Sequence, residues 1–147
     1  MDAPAITVTD RHLAELVDAE LPPSEWVEVT RDQLERFDAS TYDGPSTNYG
    51  GASVARSVHG TYSLSLVVPL WERTVGVTGA GGMVLYGVDR VRFPAPVWVG
   101  RRVRGLFRIV ETTRSGNGLR YRLAATLEVE GEDKPGVVAE LVFWVPV

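Results

Sequence analysis

Hydrophobic and polar positions follow two different periods along the chain. In the N-terminal half, apolar residues recur at helical spacing, as Leu13, Leu16 and Val17 do. Beyond Gly82 they alternate with polar residues instead, as in "LRYRLAATLEVEG", which is typical of strands with one face in water. The pattern therefore predicts helices followed by an antiparallel sheet, an α+β fold.

Two helices and a short strand are predicted before residue 40. Thr9 can cap a short helix in "TDRHLAELVDAEL". A short strand is expected around residues 26–29. The helix that follows starts with Thr30 and has Gln33 three residues later, which is the pattern of a capping box.

The segment "SVHGTYSLSLVVPLWERT" is the most apolar helical candidate. Its composition predicts a central helix buried against the sheet. Pro69 is expected to kink this helix or to end its regular part, because proline lacks the backbone N–H that the helix needs.

Four β-rich runs follow, and Gly, Asn and Ser divide them. They are "GMVLYGVDRVRFPAPV", "RRVRGLFRIVETTR", "LRYRLAATLEVEG" and "GVVAELVFWVPV". The prolines of "VRFPAPV" predict an interrupted or edge strand there. The glycines of "GVTGAGG", at 76–82, match neither the P-loop spacing nor the dinucleotide-binding fingerprint. This segment is therefore interpreted as a loop.

Length and composition indicate one globular domain over residues 1–147. Hydrophobic residues make up 44% of the chain and charged residues 23%, which are ordinary globular values. The absence of cysteine excludes disulfides and thiolate nucleophiles. Two histidines are too few for a typical histidine metal cluster, so no metal is predicted.

The formal charge of −4 gives little reason to expect nucleic acid as a partner. Arginines do cluster in "VGRRVRGLFRIVETTR", where alternation places Arg102, Arg104 and Arg108 on one strand face. A solvated face is favoured over an anion-binding patch. With neither a signal-like N-terminus nor an apolar run long enough for a membrane span, the chain is expected to be cytoplasmic.

The loop "ASTYDGPSTNYGG" carries the first candidate chemistry, because Asp43 and Asn48 stand there among Tyr42 and Tyr49. Taken alone, Asp43 before Gly44-Pro45 is a common turn-forming residue. The choice between a turn and a site depends on the rest of the chain.

Three segments together resemble the MaoC-like hydratases, which include the (R)-specific enoyl-CoA hydratases. They are "WVEVTRDQLERFDASTYD", "VHGTYSLSL" and "YGVDRVRFPAPVWVGRRVR", and "DKPGVVAELVFW" continues the resemblance near the C-terminus. The resemblance implies a hot-dog fold, in which an antiparallel sheet wraps around a central helix. It also implies reversible addition of water to a 2-enoyl thioester carried on coenzyme A or an acyl carrier protein, with no cofactor of the protein's own.

In that family an Asp and a His, spaced D-x-x-x-x-H, hold and activate the water. Asp43 matches the Asp, but Asn48 stands where the His belongs. An amide can orient a water or a hydroxyl, yet it has no protonation change near neutral pH. General acid–base catalysis is typically worth about 10²–10⁴ in rate, so this exchange predicts weak hydration or altered chemistry.

Asp43 alone could serve as the base if burial raised its pKa toward the working pH. A single base suffices for a double-bond isomerisation. It also suffices for intramolecular oxa-Michael cyclisation, in which a hydroxyl already on the substrate attacks the alkene. A biosynthetic pathway would suit either reaction.

The resemblance assigns substrate binding to His59 and Gly60, which match the family's "HG" pair at the start of the central helix. There a backbone N–H helps to hold the thioester oxygen. For His59, an anchoring role is favoured over a proton shuttle that replaces the one Asn48 lacks. Tyr42 and Tyr62 could line the acyl tunnel and donate hydrogen bonds.

Two other functions stay open. The chain could be a non-catalytic subunit of a hot-dog heterodimer, for which the missing His would be typical, or it could be a hot-dog thioesterase. We expect a homodimer or higher oligomer, because a lone hot-dog unit leaves a sheet edge unpaired.

Overall fold

The computed structural model describes residues 3–42, 57–79 and 81–146. In chain order the elements are β1 (Ile6–Thr9), a 3₁₀ helix (Asp10–Leu16), β2 (Val27–Glu28), α1 (Arg31–Ser40), α2 (Gly60–Ser65), α3 (Val67–Thr74), β3 (Val75–Thr78), β4 (Val84–Arg92), β5 (Arg102–Ser115), β6 (Gly118–Val129) and β7 (Val137–Pro146).

The main sheet has five antiparallel strands in the order β2-β5-β6-β7-β4. The four long strands expected beyond Gly82 are therefore confirmed. A two-residue turn joins β5 to β6, and Gly116 takes its first position with a φ of 61°, which glycine adopts without strain. β4 is an outer strand that ends at Arg92, before the prolines, as "VRFPAPV" predicted.

One face of the sheet packs against α2 and α3. Alternate residues of β5, β6 and β7 point inward and are buried: Val103, Phe107, Ile109, Tyr121, Leu123, Ala125, Leu127, Val129, Val137, Ala139, Leu141, Phe143 and Val145. Trp71 of α3 lies on this face, with its ring 5.4 Å from that of Phe107 and its Nε1 donating to Tyr121 Oη over 3.0 Å. Helices on one face of an antiparallel sheet confirm the α+β prediction.

Both halves of the predicted capping box are present at α1. The Thr30 hydroxyl accepts from the Gln33 N–H at 3.2 Å, and Gln33 Oε1 accepts from the Thr30 N–H at 3.4 Å. The helix expected after Thr9 is a 3₁₀ helix instead. Thr9 occupies its cap position without a side-chain capping bond, and its hydroxyl contacts His12 Nδ1.

The central helix is interrupted at Leu66, three residues before Pro69. Pro69 has no N–H to donate to the carbonyl of Ser65, so one α-helical hydrogen bond is missing where α2 meets α3. Residues Thr61, Ser65, Pro69 and Glu72 form an exposed stripe, while Val67, Leu70 and Trp71 are buried.

The sequence patterns missed a second, two-stranded sheet. β1 and β3 pair in parallel, with Ile6 opposite Val75 and Thr9 opposite Thr78. The interpretation of residues 76–82 as loop is therefore wrong for 76–78.

Arg102, Arg104 and Arg108 of β5 lie on the outer face of the sheet and pair with carboxylates. Arg104 Nε is 2.6 Å from Glu128 Oε2, and Arg102 makes a two-point contact with Glu130. These pairs support the solvated-face interpretation. Across the ranges that the structure covers, no helix is long and apolar enough to cross a membrane.

Candidate active site

Two side-chain contacts join the end of α1 to the start of α2. The rings of Phe37 and Tyr62 meet edge to face, with centroids 5.2 Å apart. Beside them, Asp38 Oδ1 lies 3.1 Å from His59 Nε2. An apolar contact and a polar contact thus hold the C-terminal end of α1 against the start of α2.

The amphipathic pattern of α1 brings Asp38 to this place. Leu34 and Asp38 are one turn apart and both are buried, so they share the inward face of the helix. Such a position is normally apolar. Asp38 also stands in the last turn, where the helix dipole disfavours a negative charge.

The approach to α2 is fixed by the neighbouring chain. The Val58 N–H donates to the Val97 carbonyl over 2.8 Å, and Ser57 pairs with Trp98 in an isolated bridge. His59 then takes an extended conformation as the cap residue of α2, but its ring makes no capping bond. The ring faces Asp38 instead, and only 14% of the His59 side chain is exposed.

Gly60 lies directly under an aromatic ring. A Cβ built on Gly60 would be 2.9 Å from Cζ of Phe93, closer than Cβ atoms approach other heavy atoms. Phe93 is 47% exposed and comes from the segment just after β4. Gly60 therefore permits the Phe93 ring to lie against the start of the helix.

The two described tyrosines of the predicted site differ in their surroundings. Tyr62 is buried, and its burial raises the pKa of its hydroxyl, which stays protonated at neutral pH. Tyr42 is 99% exposed and has a φ of 58°, the left-handed region. The described residues do not bring these two side chains together.

No protein-family model matches the chain. A curated relative, 3-hydroxyacyl-thioester dehydratase Z of Mycobacterium tuberculosis, is 35% identical over 126 residues, which cover 81% of this chain and 83% of that protein. The chain belongs to the MaoC-like 3-hydroxyacyl-thioester dehydratase family.

Solved structures of family members share the fold. The MaoC-like dehydratase from Rhodospirillum rubrum superposes with a TM-score of 0.66 at 16% identity, over 92% of this chain and 97% of that one. The HadBC complex of Mycobacterium tuberculosis, a 3R-hydroxyacyl-ACP dehydratase, gives a TM-score of 0.58 at 18% identity, over 88% and 98%. The hot-dog fold is therefore confirmed.

Of the MaoC-like site predicted from the sequence, Asp43, Asn48 and Tyr49 lie outside the described residues. Their roles stay predictions. Within residues 3–42, 57–79 and 81–146, no three His, Asp or Glu side chains are grouped so as to hold a metal ion.

Sequence reasoning missed Asp38 and Phe93. The signal for Asp38 was present, since a carboxylate one turn after Leu34 breaks the apolar face of an amphipathic helix. Phe93 could not be found in this way, because it reaches Gly60 from 33 positions further along the chain.

A cavity of about 280 Å³ lies at the C-terminal end of α3. It is lined by Glu72, Val75, Gly76, Val77, Gly82, Met83 and Val145. Its position at the end of α3 separates it along the chain from His59 and Gly60.

Proposed function

We propose that this protein is a hydratase or dehydratase of acyl thioesters. In one direction it would add water to a 2-enoyl thioester, and in the other it would remove water from a 3-hydroxyacyl thioester. The observation that carries the proposal is the 35% identity to dehydratase Z over four-fifths of both chains. That relationship is close enough to place the chain in the family.

Asp43 is proposed as the base that exchanges a proton with the substrate. It stands at the Asp position of the family's D-x-x-x-x-H pattern. Asn48 would orient the water or hydroxyl through its amide without carrying the proton. The Gly60 N–H would support the thioester oxygen as negative charge develops on it.

Tyr62 and His59 are proposed to line the substrate site beside Gly60. The raised pKa of Tyr62, caused by burial, keeps its hydroxyl neutral and able to donate a hydrogen bond. Tyr42 is retained only as a residue next to Asp43, since its side chain is almost fully exposed.

The acyl group would arrive on coenzyme A or on an acyl carrier protein, and the reaction needs no cofactor of its own. Because Asn48 cannot shuttle a proton, the reaction could also be an isomerisation or an intramolecular oxa-Michael cyclisation in a biosynthetic pathway. Each of these needs only one base.

We also propose that the chain acts in the cytoplasm, as one domain assembled into a homodimer or a higher oligomer. β4 is an outer strand of the sheet, and Val84, Leu85 and Tyr86 on it are exposed. An outer strand with exposed apolar side chains is best protected by pairing with a second chain.

A non-catalytic role in a heterodimer is the second candidate, and Asn48 is the observation that favours it. Such a subunit would complete the fold of a competent partner without performing the reaction. The presence of Asp43, His59 and Gly60 supports the catalytic proposal over this one.

The test uses the purified chain alone, with crotonyl-CoA and 3-hydroxybutyryl-CoA and their longer homologues as substrates. Interconversion of the enoyl and 3-hydroxyacyl forms is the expected result. Release of free coenzyme A would indicate a thioesterase instead. No turnover alone, with turnover restored by a co-purified partner subunit, would establish the non-catalytic role.

A further inference from the structure

We propose that Asp38 and His59 form a carboxylate–imidazole pair in which Asp38 orients His59 as the proton donor of the reaction. This inference rests on the proposed dehydratase function. Asn48 cannot donate a proton to the substrate, because its amide has no protonation change near neutral pH. His59, oriented by Asp38, would donate that proton instead.

The contact itself is the first support. Asp38 Oδ1 and His59 Nε2 are 3.1 Å apart, and the exposed fractions of the two side chains are 7% and 14%. At this separation and burial, solvent screens the interaction far less than it screens a surface ion pair. A buried carboxylate beside one ring nitrogen favours a proton on that nitrogen, and so influences the tautomer and the orientation of the imidazole.

The location of Asp38 is the second support. An acid on the buried face of α1, near its C-terminal end, is disfavoured both by desolvation and by the helix dipole. Leu34, one turn earlier, is the kind of apolar side chain that normally occupies the buried face of a helix. Replacing both members of a buried ion pair by apolar side chains is often neutral or stabilising, so folding alone does not require such a pair.

The position of His59 is the third support. Its ring does not cap α2, although it occupies the cap position, and it is followed directly by Gly60. With Nε2 facing Asp38, the other ring nitrogen, Nδ1, is the one that would exchange a proton with the substrate. His59 thus joins Asp38 to the residue proposed to hold the thioester.

In the dehydration direction, a base removes the proton from C2, and the C–H electron pair forms the C2=C3 double bond. The C3–O bond breaks as Nδ1 of protonated His59 delivers its proton to the departing hydroxyl. Water leaves, His59 becomes neutral, and exchange with solvent restores both protonation states. Asp38 keeps its charge throughout and acts only by positioning His59.

Activity is tested with His59→Gln and Asp38→Asn. Histidine 12 is the only other histidine and is exposed, so His12→Gln is the matched control, and exposed Asp32 on α1 supplies Asp32→Asn. We expect His59→Gln to lower kcat for 3-hydroxybutyryl-CoA by about 10²-fold or more, and Asp38→Asn by at least about 10-fold, with KM changed less than kcat. The two controls should match the wild type.

A second readout does not depend on turnover. Long-range ¹H–¹⁵N spectra of the two histidines should show His59 with its proton on Nε2, and Asp38→Asn should change that signature while His12 stays the same. Asp38→Glu should restore part of both the spectrum and the rate. A merely structural pair would lose folding stability without this selective change.

The outcomes separate the two proposals. Wild-type turnover with unchanged kcat in His59→Gln overturns the pair's role and leaves the dehydratase proposal standing. A His59 ring whose neutral form carries its single proton on Nδ1 in the folded wild type also overturns it. Absence of turnover by the wild-type chain with every substrate overturns the dehydratase proposal, and the pair's catalytic role falls with it.

Discussion

The ring of Phe93 lies against Gly60 so closely that a Cβ on residue 60 would come within 2.9 Å of Phe93 Cζ. The Phe93 ring therefore fills the space beside Gly60, independently of any substrate. This relationship gives two possible reasons for glycine at position 60: room for the aromatic ring, and close approach of the thioester.

A double substitution separates these reasons. Gly60→Ala should lower activity whichever reason holds, because the Phe93 ring must shift. Phe93→Ala removes the ring, so in the double variant only the substrate can be obstructed by the new methyl group. We expect the double variant to regain folding stability but not kcat/KM, measured with 3-hydroxybutyryl-CoA.

Full recovery of kcat/KM in the double variant would show that Gly60 serves only the packing of Phe93. It would remove residue 60 from the proposed thioester site. Phe93→Ala by itself provides the baseline for both comparisons.

The hydrogen bond between Trp71 and Tyr121 should contribute measurably to stability. Tyr121→Phe leaves the buried Trp71 N–H without its partner at the centre of the core, which typically costs about 1–3 kcal/mol. Urea unfolding checks the value. Tyr86→Phe, at a side chain 65% exposed, is the matched control and should change the unfolding free energy by less than about 0.5 kcal/mol.

Stability should fall at high pH because of the buried tyrosines. Burial raises the pKa of Tyr121, although the bond from Trp71 lowers it in part, and burial also raises the pKa of Tyr62. In the unfolded chain, tyrosine loses its proton near pH 10, while the folded chain keeps it. The stabilisation is therefore complete below about pH 10 and is lost as the pH rises toward the folded-state pKa.

Unfolding free energies measured between pH 8 and 11 test this linkage. The wild type should lose more stability above pH 10 than Tyr121→Phe does, by up to about 1.4 kcal/mol per pH unit. Parallel curves for the two proteins would contradict the raised pKa of Tyr121.

The capping box of α1 should be worth about 1 kcal/mol. Thr30→Ala removes the acceptor of the Gln33 N–H, which lies 3.2 Å away, and should lower the unfolding free energy by that amount. Gln33→Ala should cost less, because its side-chain contact with the Thr30 N–H is longer, at 3.4 Å. The reverse order of effects in urea unfolding would contradict this geometry.

Much of the fold could be predicted because its patterns are local. The alternation in "LRYRLAATLEVEG" fixes which side of β6 is buried, and Thr30 with Gln33 marks the start of α1. The resemblance to the MaoC-like hydratases supplied the hot-dog architecture, which periodicity alone could not. The single-domain organisation stays a prediction.

The remaining features depend on contacts between distant parts of the chain. β1 and β3 are four residues each and are defined by pairing across about 70 positions, so neither has a strong pattern of its own. The contact between Asp38 and His59 likewise arises only when α1 meets α2. The local sequence therefore gave no signal for the pairing of β1 with β3. For the contact between Asp38 and His59, the available signal was an acid on the buried face of α1.

The proposed reaction depends on the carboxylate of Asp43, which would take part in proton transfer to and from an acyl thioester. The most direct measurement is kcat for the conversion of 3-hydroxybutyryl-CoA by Asp43→Asn, compared with Asp133→Asn at an exposed position. We expect a loss of about 10²–10⁴-fold for the first and none for the second, with equal melting temperatures. A kcat for Asp43→Asn equal to that of the wild type would contradict it.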